Sequence, residues 1–348
     1  MTAPRRAVVY RPESALFWLF VVAVVVGIFG MLVEYGGAIH ETMAAELLLS
    51  PIWLVFIMFL VWLMYRFDPY RSVRGYPQVL VAGLALGGTA ALLMSMNGNS
   101  ALAAVWGRYI DPDTLTSWAP ALTAPIIEEA SKALCAAVVL MLCGAVFNRV
   151  SQALLVGMFV GFGFDVMEDI TYATNDALTD LDSDVSGAGV NLVGRILTSI
   201  PAHWAYTAVV TVGVLILLPT FADRARWSWP RRIAVAVPLL AAGPVMHFIW
   251  NSPATGVLVK FVVNIAVFGV IVALLLRYEN RRLAELIAEH REVLADVDPA
   301  VVDSLATARS RRKLRKTVKK QSGGVARTAV AYQQRAALDR LQEAASGD

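Results

Sequence analysis

Apolar residues along this chain fall into blocks, with charged and polar residues gathered mostly between them. A helix needs about 20 residues to cross the hydrocarbon layer of a bilayer. Eight blocks approach or exceed that length: 15–33, 47–64, 77–96, 119–147, 151–173, 196–218, 233–250 and 255–276. The pattern predicts an all-α, polytopic membrane protein with about eight transmembrane helices and a helical, basic cytoplasmic tail. The first block is long, unbroken and without a small-residue cleavage site, so it is expected to be a span and not a signal peptide. Composition agrees: 57% of the residues are hydrophobic and 16% charged, where a soluble domain carries about 25% charge. Two domains are expected, a transmembrane unit over 1–276 and a tail over 277–348.

The connections alternate in sign. Arg5, Arg6 and Arg11 precede the first span, and Glu34, Glu41 and Glu46 follow it. Arg66, Arg71 and Arg74 follow the second, Arg149 the fourth, and Arg224, Arg226, Arg231 and Arg232 the sixth. The acidic group Asp176, Asp180, Asp182 and Asp184 follows the fifth. Positive loops stay in the cytoplasm, so both termini are expected there, with the acidic loops outside. The tail carries a net charge of +5 against −2 for the remainder, and eight of the twelve residues in RSRRKLRKTVKK (309–320) are basic. Such a run suits anionic inner-leaflet lipid, at about 1 kcal/mol per basic residue. No aromatic residues interleave it for base stacking, so nucleic acid is not an expected partner. Residues 281–297 read as a charged helix, and Asp298-Pro299 as the N-cap and first position of another. Cys135 and Cys143, about 12 Å apart on one helix, are too far apart to pair.

Ionisable side chains at membrane depth are costly, about 2.5–3.5 kcal/mol each at a helix centre, and usually functional. Here they share one depth. Glu128, Glu129 and Lys132 lie in the outer half of the fourth span, with Lys132 at i+4 and i+3 from the two glutamates. Asp165, Glu168 and Asp169 lie near the outer end of the fifth span, after Phe164. His203 begins the sixth, and His247 and Asn251 end the seventh. Each has an ordinary structural explanation on its own: Pro125 and the glutamates as a helix start, the carboxylate–lysine pairs as mutual neutralisation, His203 as an interfacial residue. Their coincidence in depth has none. Glycines 157, 161 and 163 would let neighbouring helices approach closely. Two histidines with a carboxylate, His203, His247 and Glu168, can hold a catalytic Zn²⁺ and leave a place for water. A Glu–His pair can instead activate water without metal, and an asparagine amide can stabilise an oxyanion.

These residues also form four ordered motifs over 119–252. EEASK (128–132) resembles the EExxK signature of the PrsW-type intramembrane proteases, relatives of the group containing the CAAX prenyl endopeptidases and Abi proteins. FDVME (164–168) resembles the second motif, FxxxE. His203, after Arg195 and Pro201, resembles the third, and HFIWN (247–251) the fourth. Asp169 departs from the pattern, which leads to an asparagine there. The resemblance implies a plasma (inner) membrane endopeptidase of metallo- or glutamate type, cutting a membrane-anchored protein such as an anti-sigma factor. It implies that Glu128 and Glu129 activate water with His203 essential. Glu168 and His247 would complete the cluster, Asn251 would stabilise the oxyanion, and Lys132 would orient the glutamates. Two other classes compete. A proton-coupled transporter would use the same carboxylates as a relay, yet there is no comparable inner-half set and no inverted repeat. A non-enzymatic scaffold would act through its basic tail.

Overall fold

The computed structural model describes residues 8–346, so Arg5 and Arg6 of the N-terminal basic group lie outside it. Every regular element among the described residues is helical. In chain order they are α1 (Ala15–Arg66), α2 (Pro77–Leu86), a π-helical turn (Gly87–Ala91), α3 (Leu92–Trp106), α4 (Pro112–Leu142) and α5 (Val150–Thr179). There follow α6 (Asp184–Thr198), α7 (His203–Leu217), α8 (Trp229–Asn251), α9 (Val257–Glu289), a 3₁₀ turn (Arg291–Leu294), α10 (Pro299–Ser304) and α11 (Ala308–Ser346).

The first two expected spans and the acidic segment between them form one helix, not two joined by a loop. At 52 residues, α1 would be about 78 Å long if straight. It is an arch instead, because both ends meet the same end of the bundle. The Cys143 thiol donates to the Val8 carbonyl just before α1 at 3.7 Å. Just after α1, the Gln152 amide donates to both Ser72 O at 3.1 Å and Val146 O at 2.8 Å. Between the ends, Glu46 lies 3.3 Å from Thr174 at the far end of α5. Bends in helices have local causes, and two are present. The Thr42 hydroxyl donates back to Ala38 O at 3.1 Å, a bond that tends to curve a helix. Pro51 has no N–H for Leu47 O, and the Ser50 hydroxyl donates to that carbonyl at 2.9 Å.

The core is built around α5, in which every residue from Val150 to Asp165 is buried. Its three glycines work as expected. A Cβ at Gly157 would sit 2.5 Å from Thr211 Oγ1, one at Gly161 2.5 Å from His203 O, and one at Gly163 2.1 Å from Leu84 O. Two neighbours, α7 and the α2–π–α3 helix, thus press backbone to backbone against α5. Gly161 does so directly beneath the first residue of α7.

By length and composition, five helices can cross a membrane, or six if α6 and α7, bent by 47° at their junction, count as one span. The sequence pattern suggested eight. The difference arises from the fused first pair and from α4, whose charged residues offset its apolar stretch. The sixth expected span, 196–218, is broken between Thr198 and His203, where Pro201 supplies no backbone donor.

The tail folds back onto the bundle. The charged helix expected at 281–297 is instead the end of α9, which stops at Glu289, followed by the 3₁₀ turn. Asp298 does cap α10, accepting from Ala300 N at 2.7 Å. Leu283, Leu294, Val301, Leu305, Leu338 and Leu341 bury a small core against Tyr70, in the segment between α1 and α2. Asp339 accepts from Arg71 at 2.5 and 2.8 Å. Arg149, which precedes α5, is ion-paired with Glu279 of α9 and donates to Gln342 of α11 at 2.8 Å. In α11 the backbone breaks at Gly323, whose φ of 85° suits glycine. Of the basic run 309–320, Arg311 turns inward to Pro69 O at 2.6 Å, while Arg312, Lys313, Lys316, Lys319 and Lys320 face outward.

Candidate active site

Asp111 caps α4, accepting from Thr114 N at 2.9 Å. Pro125 is therefore well inside the helix, and the adjacent glutamates do not belong to a helix start. Spacing of three and four residues puts Glu128, Glu129 and Lys132 on one face. All three are buried, Lys132 completely. Lys132 Nζ lies 2.7 Å from Glu129 Oε1 and 3.6 Å from Glu128 Oε2. It also stands over the Phe164 ring at 4.2 Å, a cation–π contact. Phe164 in turn packs on His203, with ring centroids 5.0 Å apart.

The two glutamates differ. Glu129 is fully engaged: Oε1 meets Lys132 and His247 Nδ1 (3.2 Å), and Oε2 accepts from Thr207 at 3.3 Å. Glu128 accepts one hydrogen bond among the described residues, from Asn99 Nδ2 to Oε1 at 3.0 Å. Its Oε2 is buried with no hydrogen-bond partner.

His203 is held from three sides. Ala202 offers no side-chain cap to α7, and Asp165 of α5 takes that role, accepting from His203 N at 3.1 Å and Trp204 N at 3.0 Å. Lysine has no acceptor, so Lys132 Nζ, at 2.8 Å, must donate to His203 Nδ1. The proton is then on Nε2, which donates to Glu168 at 3.1 Å. Similar reasoning fixes His247. Nδ1–H donates to Glu129, and Nε2 accepts from Asn251 Nδ2 at 3.2 Å. Each imidazole therefore has a carboxylate on one nitrogen and a lone pair on the other. The lone-pair nitrogens lie 3.7 Å (His203) and 3.9 Å (His247) from Glu128 Oε2.

Glu128, Glu168, His203, His247, Asn251 and Asn99 border one cavity of about 670 Å³ lined by α3, α4, α5, α6, α7 and α8. Glu129, Lys132 and Phe164 stand behind it. Sequence reasoning missed Asn99, which lies beyond the expected end of the third span, and gave Asp165 no role at the site. A polar residue continuing an apolar helix was the available signal for the first. For the second it was a carboxylate within the FDVME motif. Asp169 is ion-paired with Arg195, its Oδ1 3.1 Å from Arg195 Nε. Arg195 also approaches Glu168 at 3.5 Å and covers the Tyr172 ring at 4.2 Å.

The donors fit a zinc-type ion. One ligand atom from each of Glu128, His203 and His247 lies within 4.8 Å of the others, the two-histidine, one-glutamate set of many catalytic zinc sites. Carboxylates behind both histidines are the usual outer support of such ligands. The sequence reading grouped Glu168 with the histidines as the third donor. Here Glu128 has that place, and Glu168 backs His203 from its far nitrogen. The Lys132 ammonium already engages the lone pair of His203, so metal ligation there requires lysine to yield it.

Fold and cluster together define a polytopic membrane protein with a buried cluster of glutamates and histidines inside the bundle. The profile of the PrsW family intramembrane metalloproteases matches residues 76–276, more than half of the chain, which therefore belongs to that family. It is thus an enzyme of an intramembrane protease family. The arch α1 and everything beyond residue 276 lie outside the match. No curated protein and no solved structure matches the chain.

Proposed function

We propose that the chain hydrolyses a peptide bond in a membrane-anchored protein, an anti-sigma factor being one such substrate, near the extracytoplasmic face of the plasma membrane. The observation that carries this reading is the buried Glu128 Oε2, which accepts no hydrogen bond among the described residues and lies between two oriented histidines at the wall of a cavity of about 670 Å³. In the metal-free form, Glu128 Oε2 takes a proton from water as the water oxygen bonds to the scissile carbonyl carbon. The proton then passes to the leaving nitrogen as the C–N bond breaks. Glu129 holds Lys132 and His247, Glu168 fixes the His203 ring, and the Asn251 amide turns from Pro120 O, now 3.1 Å away, toward the developing oxyanion. A bound zinc ion, held by Glu128, His203 and His247, would polarise the carbonyl and acidify water. Without one, Lys132 keeps its present contact and the Glu128–histidine set acts as general base.

The test compares new N-termini of membrane and exported proteins in cells expressing wild type or Glu128→Gln at equal levels. General-base loss costs about 10²–10⁴-fold, so the wild-type termini should disappear, and they should map to the outer membrane edge of anchored proteins. Identical termini from both strains would end the proposal. Metal content decides the form of the chemistry. The zinc form predicts about one ion per chain in purified protein, lost together with activity on chelation and reduced by His247→Ala.

A further inference from the structure

The two glutamates of the EEASK motif face the same cluster, yet only Glu129 is tied down by it. What aims Glu128 comes from another helix. Gly98 of α3 has no side chain, and a Cβ there would lie 2.4 Å from Ile127 Cγ2 of α4. This close approach brings the next residues on each helix, Asn99 and Glu128, within hydrogen-bond distance. A carboxylate only accepts, so the Asn99 amide must present its NH₂ group to Glu128 Oε1, at 3.0 Å. That orientation leaves Asn99 Oδ1 buried with no hydrogen-bond partner among the described residues. The other polar atoms near Glu128 are all beyond hydrogen-bond length: Lys132 Nζ at 3.6 Å, His203 Nδ1 at 3.7 Å and His247 Nε2 at 3.9 Å, each measured to Oε2.

We propose that Asn99 is a positioning residue for Glu128: its amide pins Oε1, which leaves Oε2 free and directed at the two histidines. This inference rests on the hydrolytic reading above. Without the pin the Glu128 side chain can rotate so that either oxygen swings onto the Lys132 ammonium, one helical turn away. Oε2 then loses its aim, and the glutamate duplicates Glu129. Gly98 belongs to the same device, because it sets the distance at which the amide works.

The test uses the full chain in cells, with the wild-type-dependent N-termini as the readout and protein level and thermal stability in detergent as fold controls. Asn99→Asp matches asparagine in size but has no donor when ionised. Asn99→Ser is smaller and keeps a hydroxyl donor. A packing role ranks Asp above Ser, whereas a positioning role ranks Ser above Asp. We expect Asn99→Asp to lower the yield of the termini at least tenfold and Asn99→Ser to retain several times more than Asp. Should Asn99→Asp fail to fold, Asn99→Ser against Asn99→Ala makes the same comparison at near-equal size, with Ser expected to be several-fold higher. Asp equal to or above Ser, or Ser equal to Ala, overturns the role of Asn99. Outcomes for the parent reading stay separate. If Glu128→Gln removes the termini and no Asn99 variant does, this inference alone falls. If Glu128→Gln leaves them unchanged, the hydrolytic reading falls and this inference with it.

Discussion

Adjacent glutamates on one helix can have opposite duties, and their hydrogen bonds tell them apart. Glu129 stabilises the buried Lys132, so removing its charge leaves an ammonium inside the bundle with a weaker partner. Breaking a buried pair in this way costs about 3–5 kcal/mol. Glu129→Gln is therefore expected to lower thermal stability in detergent clearly, along with activity. Glu128→Gln should abolish activity with a smaller loss of stability, since Lys132 Nζ lies 3.6 Å from Glu128 Oε2 against 2.7 Å from Glu129 Oε1. Melting curves of the two variants side by side check this. Equal losses of stability would refute the division of labour. The buried polar residues that the fold gathers into one cluster stood out in the sequence, because charge at membrane depth is conspicuous. Their partners did not. No periodicity says that Asp165 caps α7 across a helix interface, or that Asn99 reaches Glu128, since both contacts join residues far apart in the chain.

Among elements, the glycines of α5 place His203. Gly161 allows the start of α7 to rest on α5, with His203 O at 2.5 Å from where a Cβ would be. The same approach brings Asp165 to the α7 backbone. A Gly161→Val substitution must push α7 outward, and overpacking of a tight core typically costs about 1–3 kcal/mol. It should also cost activity by moving His203 away from Glu128, even though no site residue is changed. Unimpaired cleavage by a folded Gly161→Val protein would contradict this placement. Close helix approach could be anticipated from the glycine spacing, but which helices would meet could not. The same limit explains the arch. A run of apolar, acidic and apolar residues reads as span, loop and span, while helical hydrogen bonding can continue through the middle when nothing there prevents it. Thr42 and Pro51 curve α1 without ending it, and neither announces an arch in the sequence.

For the molecule as a whole, the tail is fastened to the bundle through Arg149. Its guanidinium joins the start of α5, Glu279 of α9 and Gln342 of α11. Glu279 also accepts from Ser151 at 2.9 Å and is almost fully buried. Arg149→Ala leaves that carboxylate without its cation, again a loss of about 3–5 kcal/mol. It should release residues 308–346 to proteases while sparing the helices of the family match. Limited proteolysis of the full chain reads this directly, and unchanged protection of the tail would count against the fastening role of Arg149.

The cavity also sets a condition on anything cut there. Glu128 reaches its wall from α4, whereas every carbonyl inside an α-helix points along the helix axis toward the N–H four residues on. A carbonyl within such a helix is already hydrogen-bonded to its own chain and shielded by side chains, out of reach of Glu128. The substrate must therefore arrive locally unwound. Cleavage would then favour segments where a glycine, a proline or the end of a membrane helix makes unwinding cheap, so selectivity would follow the substrate's helical stability more than the identity of the residues beside the cut.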